Sequence, residues 1–472
     1  MKDVFRKIKA EAEMLGISPL FARVKYVIVG FSGGADSSLL LEFFANLRDT
    51  EADFPQVRAV HVNHMLRGAE SDSDEEFCRK RCAELSVPLD VRRIDVPAMM
   101  AESGLGCEEC ARKARYAAFD QVRRGLDGES LIATAHNADD NLETVLFNLA
   151  RGGGAMGLSG IAPVREDGVV RPILGLGGEE IRQACRDMGI PFVTDSTNRD
   201  EGYTRNFIRH SVAPRLKEVN PGAADASVRA GISLREDEEF IRGLARSAVG
   251  EYLPLGEVPR EIMADLPDPV LARAIVMLTG SVTEIAMSAE QVRTCRRLIR
   301  ESGTGKVSLP DGVTFEISKN LVSAYHSREV GEFSFDAELP TGDECVKYSC
   351  EAAGFDLYFC RNLHGLPPTD ENIYKLSINT AVRFDTIYGR VHVRTRAAGD
   401  TLYLGGTHRR LKKMICDRGI PESRRRRLPV ICDDEGVLLV PGLPVRGPAY
   451  ARAEDISENN ALYVLYCLKR HF

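Results

Sequence analysis

The stretch Val27-Ile28-Val29-Gly30-Phe31-Ser32-Gly33-Gly34-Ala35-Asp36-Ser37-Ser38-Leu39-Leu40-Leu41 decides the fold. An apolar run breaks into glycine and hydroxyl residues and then resumes with helical spacing, which reads as strand, tight loop and helix start. Gly33 and Gly34 permit positive φ and close backbone approach, and the amides that open a helix point at whatever occupies the loop. Such a loop favours an anion, phosphate first. A Walker loop needs Gly-x-x-x-x-Gly-Lys-Ser/Thr, and no lysine follows these glycines. Asp36 stands there instead. An acid beside a phosphate cradle is repulsive unless a divalent cation lies between, so Asp36 reads as a Mg²⁺ contact. The competing reading is a plain glycine-rich turn in which Asp36 and Ser37 cap the helix.

Outward from this stretch, 472 residues leave room for about three domains of roughly 150 residues each. Hydrophobic residues make up 44% and charged residues 28%, an ordinary globular balance. No apolar run approaches the ~20 residues of a membrane span, and the polar start Met1 to Lys7 lacks a signal-peptide core, so a cytoplasmic protein with no membrane partner is expected. The 12 cysteines form no compact framework, which argues for reduced thiols. The net charge is -7, yet Arg383 to Arg427 holds 13 Lys/Arg against 4 Asp/Glu, a local balance of +9. A basic module on an acidic chain suggests a polyanionic partner.

In chain order, residues 1 to about 23 read as one leading helix and Val24 to Val29 as the first strand. Val57 to Asn63 follows as a second strand, so strand-helix-strand implies a parallel sheet. His64 comes just past its C-terminal end, where doubly wound sheets bind ligands. Ser73-Asp74-Glu75-Glu76 has the capping-box pattern of a helix start. Leu89 to Val96 reads as the third strand, Cys107 to Val122 as a helix carrying Arg112, Lys113 and Tyr116, and Ser130 to Ala135 as the fourth strand. His136, Asp139, Asp140 and Glu143 recur at three- and four-residue spacing, so a helix would set His136, Asp139 and Glu143 near one face, suited to substrate binding or acid/base work. Metal ligation by that set stays open. Arg151 to Gly160 reads as a flexible loop too glycine-rich for a helix, with the role of a mobile lid left open. Arg205 and Arg209 suit phosphates, and a plain helix surface would also carry them. Asn220-Pro221-Gly222 reads as a linker, with helices to about Asn320 and short strands beyond.

Ser32-Gly33-Gly34-Ala35-Asp36-Ser37 resembles the PP-loop of the N-type ATP pyrophosphatases, which split ATP to AMP and pyrophosphate. His64-Met65-Leu66-Arg67, Glu109 to Tyr116, His136 to Thr144, Arg151-Gly152, Arg171-Pro172, Asp195 to Asn198 and Arg205 to Arg209 narrow the resemblance to the tRNA(Ile)-lysidine synthase family. Asp417 to Pro421 and Arg424 to Cys432 extend it. The resemblance implies an α/β doubly wound parallel sheet, a helical middle domain and a small α+β C-terminal domain, divided at 1–218, 219–330 and 331–472. It implies ATP and Mg²⁺, adenylation of the wobble cytidine of a CAU anticodon, and attachment of L-lysine through its ε-amine. Asp36, Arg112, His136 and Asp139 would then be catalytic. Ser32, Gly33, Gly34, Ala35, Asp36, Ser37 and His64 would bind ATP, and Arg205, Arg209, Arg394, Arg396, Arg409, Arg410, Lys412 and Lys413 the tRNA. A homodimer stays open. Cys107-Glu108-Glu109-Cys110 raises a rival, since related PP-loop tRNA thiolases hold an iron-sulfur cluster through such a pair and a later cysteine. No later cysteine stands in a comparable motif, so the pair reads as core. An inactive tRNA-binding relative is the remaining alternative.

Overall fold

The computed structural model describes residues 2–194, 204–327, 331–362, 366–367, 374–452, 455 and 460–469. The chain forms two compact units, Met1–Glu239 and Phe240–Phe472.

In the first unit the strands are β1 (Tyr26–Gly30), β2 (Gln56–Asn63), β3 (Leu89–Arg93), β4 (Ser130–Ala133) and β5 (Val169–Val170). They form one parallel sheet of order β3-β2-β1-β4-β5, in which Val27 lies opposite both Val57 and Leu131. Alternate side chains of β1 serve opposite faces. Val27 and Val29 enter one apolar cluster with Leu39, Leu40 and Phe43, while Ile28 enters another with Phe119, Val122 and Ile132. A strand covered on both faces must be apolar throughout, which is why β1 reads as a continuous run. The order reverses between β1 and β4, and ligands of such sheets bind in the crevice at that reversal.

The helices are α1 (Lys2–Met14), α2 (Ser18–Phe21), α3 (Ala35–Thr50), α4 (Ala69–Glu84), α5 (Val96–Ser103), α6 (Cys107–Arg124), α7 (Ala138–Ala150), α8 (Ala155–Leu158), α9 (Gly178–Met188), α10 (Thr204–Phe207) and α11 (Ala213–Val219), with a π-helical turn at Ile208–Val212. Several expected boundaries move. The leading helix is two, broken where Gly16 takes φ +70°. The third strand stops at Arg93, because Asp95 accepts from the Ala98 amide at 2.9 Å and starts α5. The capping box at Ser73 lies inside α4. Its Glu75 is buried and bonded by Arg93, Arg79 and Asn63, so a tertiary network claims the carboxylate. The loop Arg151 to Gly160 contains the helical turn α8 and is held in place. Asn148 Nδ2 donates to the Gly157 carbonyl at 2.7 Å, and Asn141 Oδ1 accepts from the Ile161 amide at 2.8 Å. Asp195 to Asn198 lies outside the described residues.

Helix α12 (Ala223–Val249) follows, and the division between the units falls within it. The second unit continues with α13 (Arg260–Asp265), α14 (Asp268–Gly280) and α15 (Ala289–Arg300). The helices expected as far as Asn320 stop short of it. Instead β6 (Glu257–Pro259), β7 (Gly305–Ser308), β8 (Val313–Ile317) and β9 (Leu321–His326) form an antiparallel sheet of order β6-β9-β8-β7. Val313, Thr314, Phe315 and Ile317 are strand formers, and β8 is buried along its whole length.

Beyond it lie β10 (Ser334–Ala337), β11 (Val346–Cys350), β12 (Phe355–Cys360), β13 (Tyr374–Arg383), β14 (Val391–Arg394), β15 (Thr401–Leu404), β16 (Thr407–Arg410), β17 (Val430–Asp433), β18 (Gly436–Leu439) and β19 (Ala461–Lys469). They build sheets of order β10-β14-β17-β18 and β11-β12-β19-β13 and the β15-β16 hairpin, with α16 (Leu411–Asp417) and α17 (Glu422–Arg425) between. The expectation of reduced thiols fails at one pair. The β11-β12 register sets Val346 opposite Phe359, which puts Cys345 opposite Cys360 with Cα atoms 4.5 Å apart, and the two are disulfide-linked. The other ten cysteines are free. Among the described residues no helix is long and apolar enough to cross a membrane.

Candidate active site

The loop after β1 enters α3 without a side-chain cap. Ser37 Oγ donates to the Gly34 carbonyl at 3.0 Å and accepts from the Ser32 amide at 3.2 Å, so it shapes the loop. The first amides of this 16-residue helix therefore remain for an anion. Gly33 has φ +89°, and a Cβ there would lie 3.2 Å from the Phe77 ring. The plain-cap reading of Asp36 and Ser37 does not hold, because Gly34 is the N-cap.

Across the crevice, β4 ends and Asn137 caps α7. Its side chain accepts from the Asp140 amide at 3.0 Å, and the Asp140 carboxylate accepts in return from the Asn137 amide at 3.1 Å. The same Asn137 uses Nδ2 to reach Asp36 Oδ1 at 3.0 Å. One side chain thus ties the loop after β1 to the start of α7. Burial pushes the Asp36 carboxyl up against that hydrogen bond, and the charge of Asp140 adds to the rise. The hard carboxylate oxygens of Asp36 at a phosphate cradle, on which Arg182 and Arg209 also act, fit Mg²⁺ shared with phosphates and not a cage made of protein alone.

The acids of α7 separate into two sets. Asp139 has both oxygens engaged, one with Lys217 Nζ at 2.6 Å and one with the Gly178 amide that opens α9 at 3.2 Å. Arg209 spans Asp140 and Glu143, at 3.1 and 2.6 Å. Glu143 is buried, and its Oε2 has no hydrogen-bond partner among the described residues, with Arg205 Nε standing 3.7 Å away. Burial raises both the Asp140 and Glu143 carboxyls, and Arg209 opposes that. Arg205 reaches Glu108 at 2.7 Å and Thr144 at 3.2 Å. Arg205 and Arg209, expected on tRNA phosphates, thus spend donors inside the unit while their side chains stay 37% and 39% exposed.

His136 is not on α7 but in the turn before it, so it does not share a helix face with Asp139 and Glu143. Its Nδ1 lies 3.0 Å from Thr134 Oγ1 and 3.4 Å from Arg171 Nε. Burial and the cations Arg171, Arg115, Arg112 and Arg205 push His136 down to about 3. Burial and Arg115 push His64 down to about 4, so both rings are neutral at pH 7. Arg112 is exposed, and its guanidinium lies 5.3 Å from the centre of the Tyr116 ring, which Arg165 approaches at 4.7 Å. Sequence reasoning passed over Asn137 and took Arg171 only as part of a motif. Asn137 carried a readable signal, an Asn followed three residues later by Asp, the N-cap pattern.

Cys110 is 1% exposed, packed with Val96 and Ala114 and backed by Met99, Met100 and Leu105, so it is a core residue as expected. In the second unit Arg394 makes a bidentate pair with Asp400, at 2.9 and 2.8 Å. Arg396, Arg409, Arg410, Lys412 and Lys413 are exposed and lack an ion-pair partner among the described residues. Arg424 pairs with the buried Glu257, which makes part of the basic run a framework contact.

Residues 6–216 match the PP-loop domain family and residues 391–456 the TilS substrate C-terminal domain. The chain is 31% identical over 448 residues to the tRNA(Ile)-lysidine synthase of Geobacillus kaustophilus (strain HTA426), covering 88% of this chain and 90% of that one. It is 29% identical over 464 residues to the tRNA(Ile)-lysidine synthase of Bacillus subtilis (strain 168), covering 92% and 93%. A solved structure, the U34-tRNA thiolase NcsA from Methanococcus maripaludis with its 4Fe-4S cluster, is similar over 50% of this chain and 81% of that one, with 16% identity and a TM-score of 0.42. With a phosphate loop at the sheet's reversal point and near-full-length likeness to those two synthases, this chain belongs to the tRNA(Ile)-lysidine synthase family.

Proposed function

We propose that this chain is a carbon–nitrogen ligase of the cytoplasm that joins L-lysine to the wobble cytidine of tRNA(Ile) with a CAU anticodon. The observation that carries this reading is the Asn137–Asp36 hydrogen bond, which couples a phosphate cradle to an acid-rich helix start. The cytidine's carbonyl oxygen attacks the α-phosphorus of ATP and pyrophosphate leaves. The ε-amine of lysine then attacks the ring carbon, AMP leaves, and one proton is released. The amides of Ala35 and Asp36 hold departing phosphate oxygens at the helix terminus. Asp36 would hold Mg²⁺, which when bound would neutralise charge on those oxygens. Asp140 and Glu143, with one carboxylate oxygen lacking a hydrogen bond, suit the lysine ammonium and draw off its proton, since only the neutral amine attacks. His64 lines the nucleotide, and Arg112 together with the outer faces of Arg205 and Arg209 meets tRNA phosphates.

In the C-terminal part, Arg396, Arg409, Arg410, Lys412 and Lys413 contact tRNA, with Arg394 setting the strand that presents Arg396. The three-part division at 218 and 330 is kept as a functional one, the middle segment adding grip on tRNA. A homodimer is compatible with this reading, which needs no second copy. The test is nucleoside mass spectrometry after incubation with labelled lysine, ATP and CAU-anticodon tRNA. A lysine adduct on the wobble cytidine with AMP and pyrophosphate released is expected. Sulfur incorporation, or ADP as product, overturns the reading.

A further inference from the structure

We infer that Arg171 and Thr134 lock His136 as a neutral imidazole with its proton on Nε2, so that His136 serves the reaction as a hydrogen-bond donor and not as a base. This rests on the reaction proposed above.

Strands β4 and β5 are parallel neighbours, with Ala133 opposite Val170, and the Thr134 amide extends the ladder to the Val170 carbonyl at 3.0 Å. Arg171, the next residue, is thereby brought beside the segment that leaves β4. Its own amide bonds the Pro163 carbonyl at 2.9 Å, its Nη1 donates to the Ala162 carbonyl, and the residue is 3% exposed. A guanidinium so held has little freedom, and its Nε donates to His136 Nδ1 at 3.4 Å. Arginine is never deprotonated in a protein, so Nε always presents a hydrogen there. A proton on Nδ1 would confront it. The lone pair must therefore stand on Nδ1, where the Thr134 hydroxyl at 3.0 Å can also donate, and the neutral ring carries its hydrogen on Nε2.

A second proton is opposed by burial and by four cations. Arg171 stands at the end of β5, Arg112 and Arg115 on α6 and Arg205 on α10, and no carboxylate bonds the ring among the described residues. His61 supplies the opposite case in the same sheet. Its Nδ1 lies 2.9 Å from the Phe31 carbonyl oxygen, which can only accept, so His61 carries its hydrogen on Nδ1. His136 Nε2–H is thus a fixed, neutral donor on a partly exposed ring, suited to an oxygen of the adenylate. It is a poor proton acceptor, which leaves the lysine proton to the acids of α7.

The test is two-bond ¹H–¹⁵N correlation on the full chain with labelled histidine, assigned with His136→Gln. The Nε2–H pattern is expected for His136, unchanged from pH 5.5 to 8, beside an Nδ1–H pattern for His61. Arg171→Met should bring a His136 titration into that range, while Arg171→Lys, which keeps a charged donor, should suppress it. If Arg171→Met does not fold, Thr134→Val and the unaltered chain still report the tautomer. An Nδ1–H pattern, or titration of His136 near 6.5 in the unaltered chain, overturns the inference. In lysine ligation, His136→Ala should lose about 100-fold, and His136→Gln, which retains an N–H but no base, should stay within about 10-fold of the unaltered chain. Equal losses in both variants overturn the donor role. Failure of the unaltered chain to ligate lysine at all would instead remove the proposed reaction and leave the tautomer standing.

Discussion

Asn137 does two jobs, and two substitutions separate them. Asn137→Ala removes the cap of α7 and the bond to Asp36, whereas Asn137→Ser keeps a good N-cap but is too short to reach Asp36. Loss of a cap costs about 1 kcal/mol, and loss of a hydrogen bond to a carboxylate about 1.5 kcal/mol before water replaces part of it. Asn137→Ala should therefore destabilise the first unit by about 2 kcal/mol and Asn137→Ser by about 1. For a unit of this size that is a fall in melting temperature of roughly 4–8 °C and 2–4 °C respectively. Activity should not follow the same ranking. Both variants release Asp36, whose carboxyl then rises further for want of the amide. If orientation of Asp36 is worth about 1.4 kcal/mol in the transition state, each variant forms the adenylate about tenfold more slowly. Calorimetry and single-turnover release of pyrophosphate measure the two quantities separately. Full adenylation by Asn137→Ser would refute the claim that this bond positions Asp36 for catalysis.

Asp36→Ala should abolish ATP cleavage to AMP and pyrophosphate without loss of the melting transition, and restoration of the rate by excess Mg²⁺ would contradict its assigned contact. Reversing charge at Arg409, Arg410, Lys412 and Lys413 should flatten the salt dependence of tRNA binding by about one unit for each phosphate no longer neutralised, as filter binding at several salt concentrations would measure. Arg394→Ala, which breaks the bidentate pair with Asp400, should lower stability and leave that slope nearly unchanged. His136 and His64 have their pKa values lowered by folding, so their contribution is present above about 6.5 and lost as pH falls through about 4 for His64 and about 3 for His136. Melting temperature should fall over that window, and His64→Gln should recover part of the loss.

The sheet was legible because β1 is apolar from Val27 to Val29 and the glycines that follow permit few alternatives, so strand, loop and helix could be read together. The site was legible as a stretch but not as an arrangement. Helical spacing suggested that His136, Asp139 and Glu143 would meet, yet the helix begins only after His136, where the Asn137 side chain caps it. Asp139 is expected to be catalytic from the resemblance, but its partners are not legible in the sequence. What decides its surroundings is Lys217, 78 residues later, and no local pattern announces that pairing. The strands of 305–326 went unread for a similar reason, since short strands of a sheet assembled from distant pieces lack the length that distinguishes them from helix. The arginines of 424–427 and Arg394 show that a run of like charge records composition, while partners such as Glu257 and Asp400 determine which members face outward.

The π-helical turn at Ile208–Val212 sets the phase of Lys217 on the helix that follows relative to Arg209, which lies within the turn. On an uninterrupted α-helix Arg209 and Lys217, eight residues apart, would point about 80° from each other. A π turn takes in one residue more than an α turn and so returns about 100° of rotation, which brings Arg209 and Lys217 to within about 20° of a common direction. That alignment lets Arg209 grip Glu143 while Lys217 grips Asp139, four positions away along α7. Removing a single residue from Ile208–Val212 would leave two sound helices but swing Lys217 off its acid. The length of this segment is therefore a coded quantity, as binding on the chain as the identity of any side chain within it.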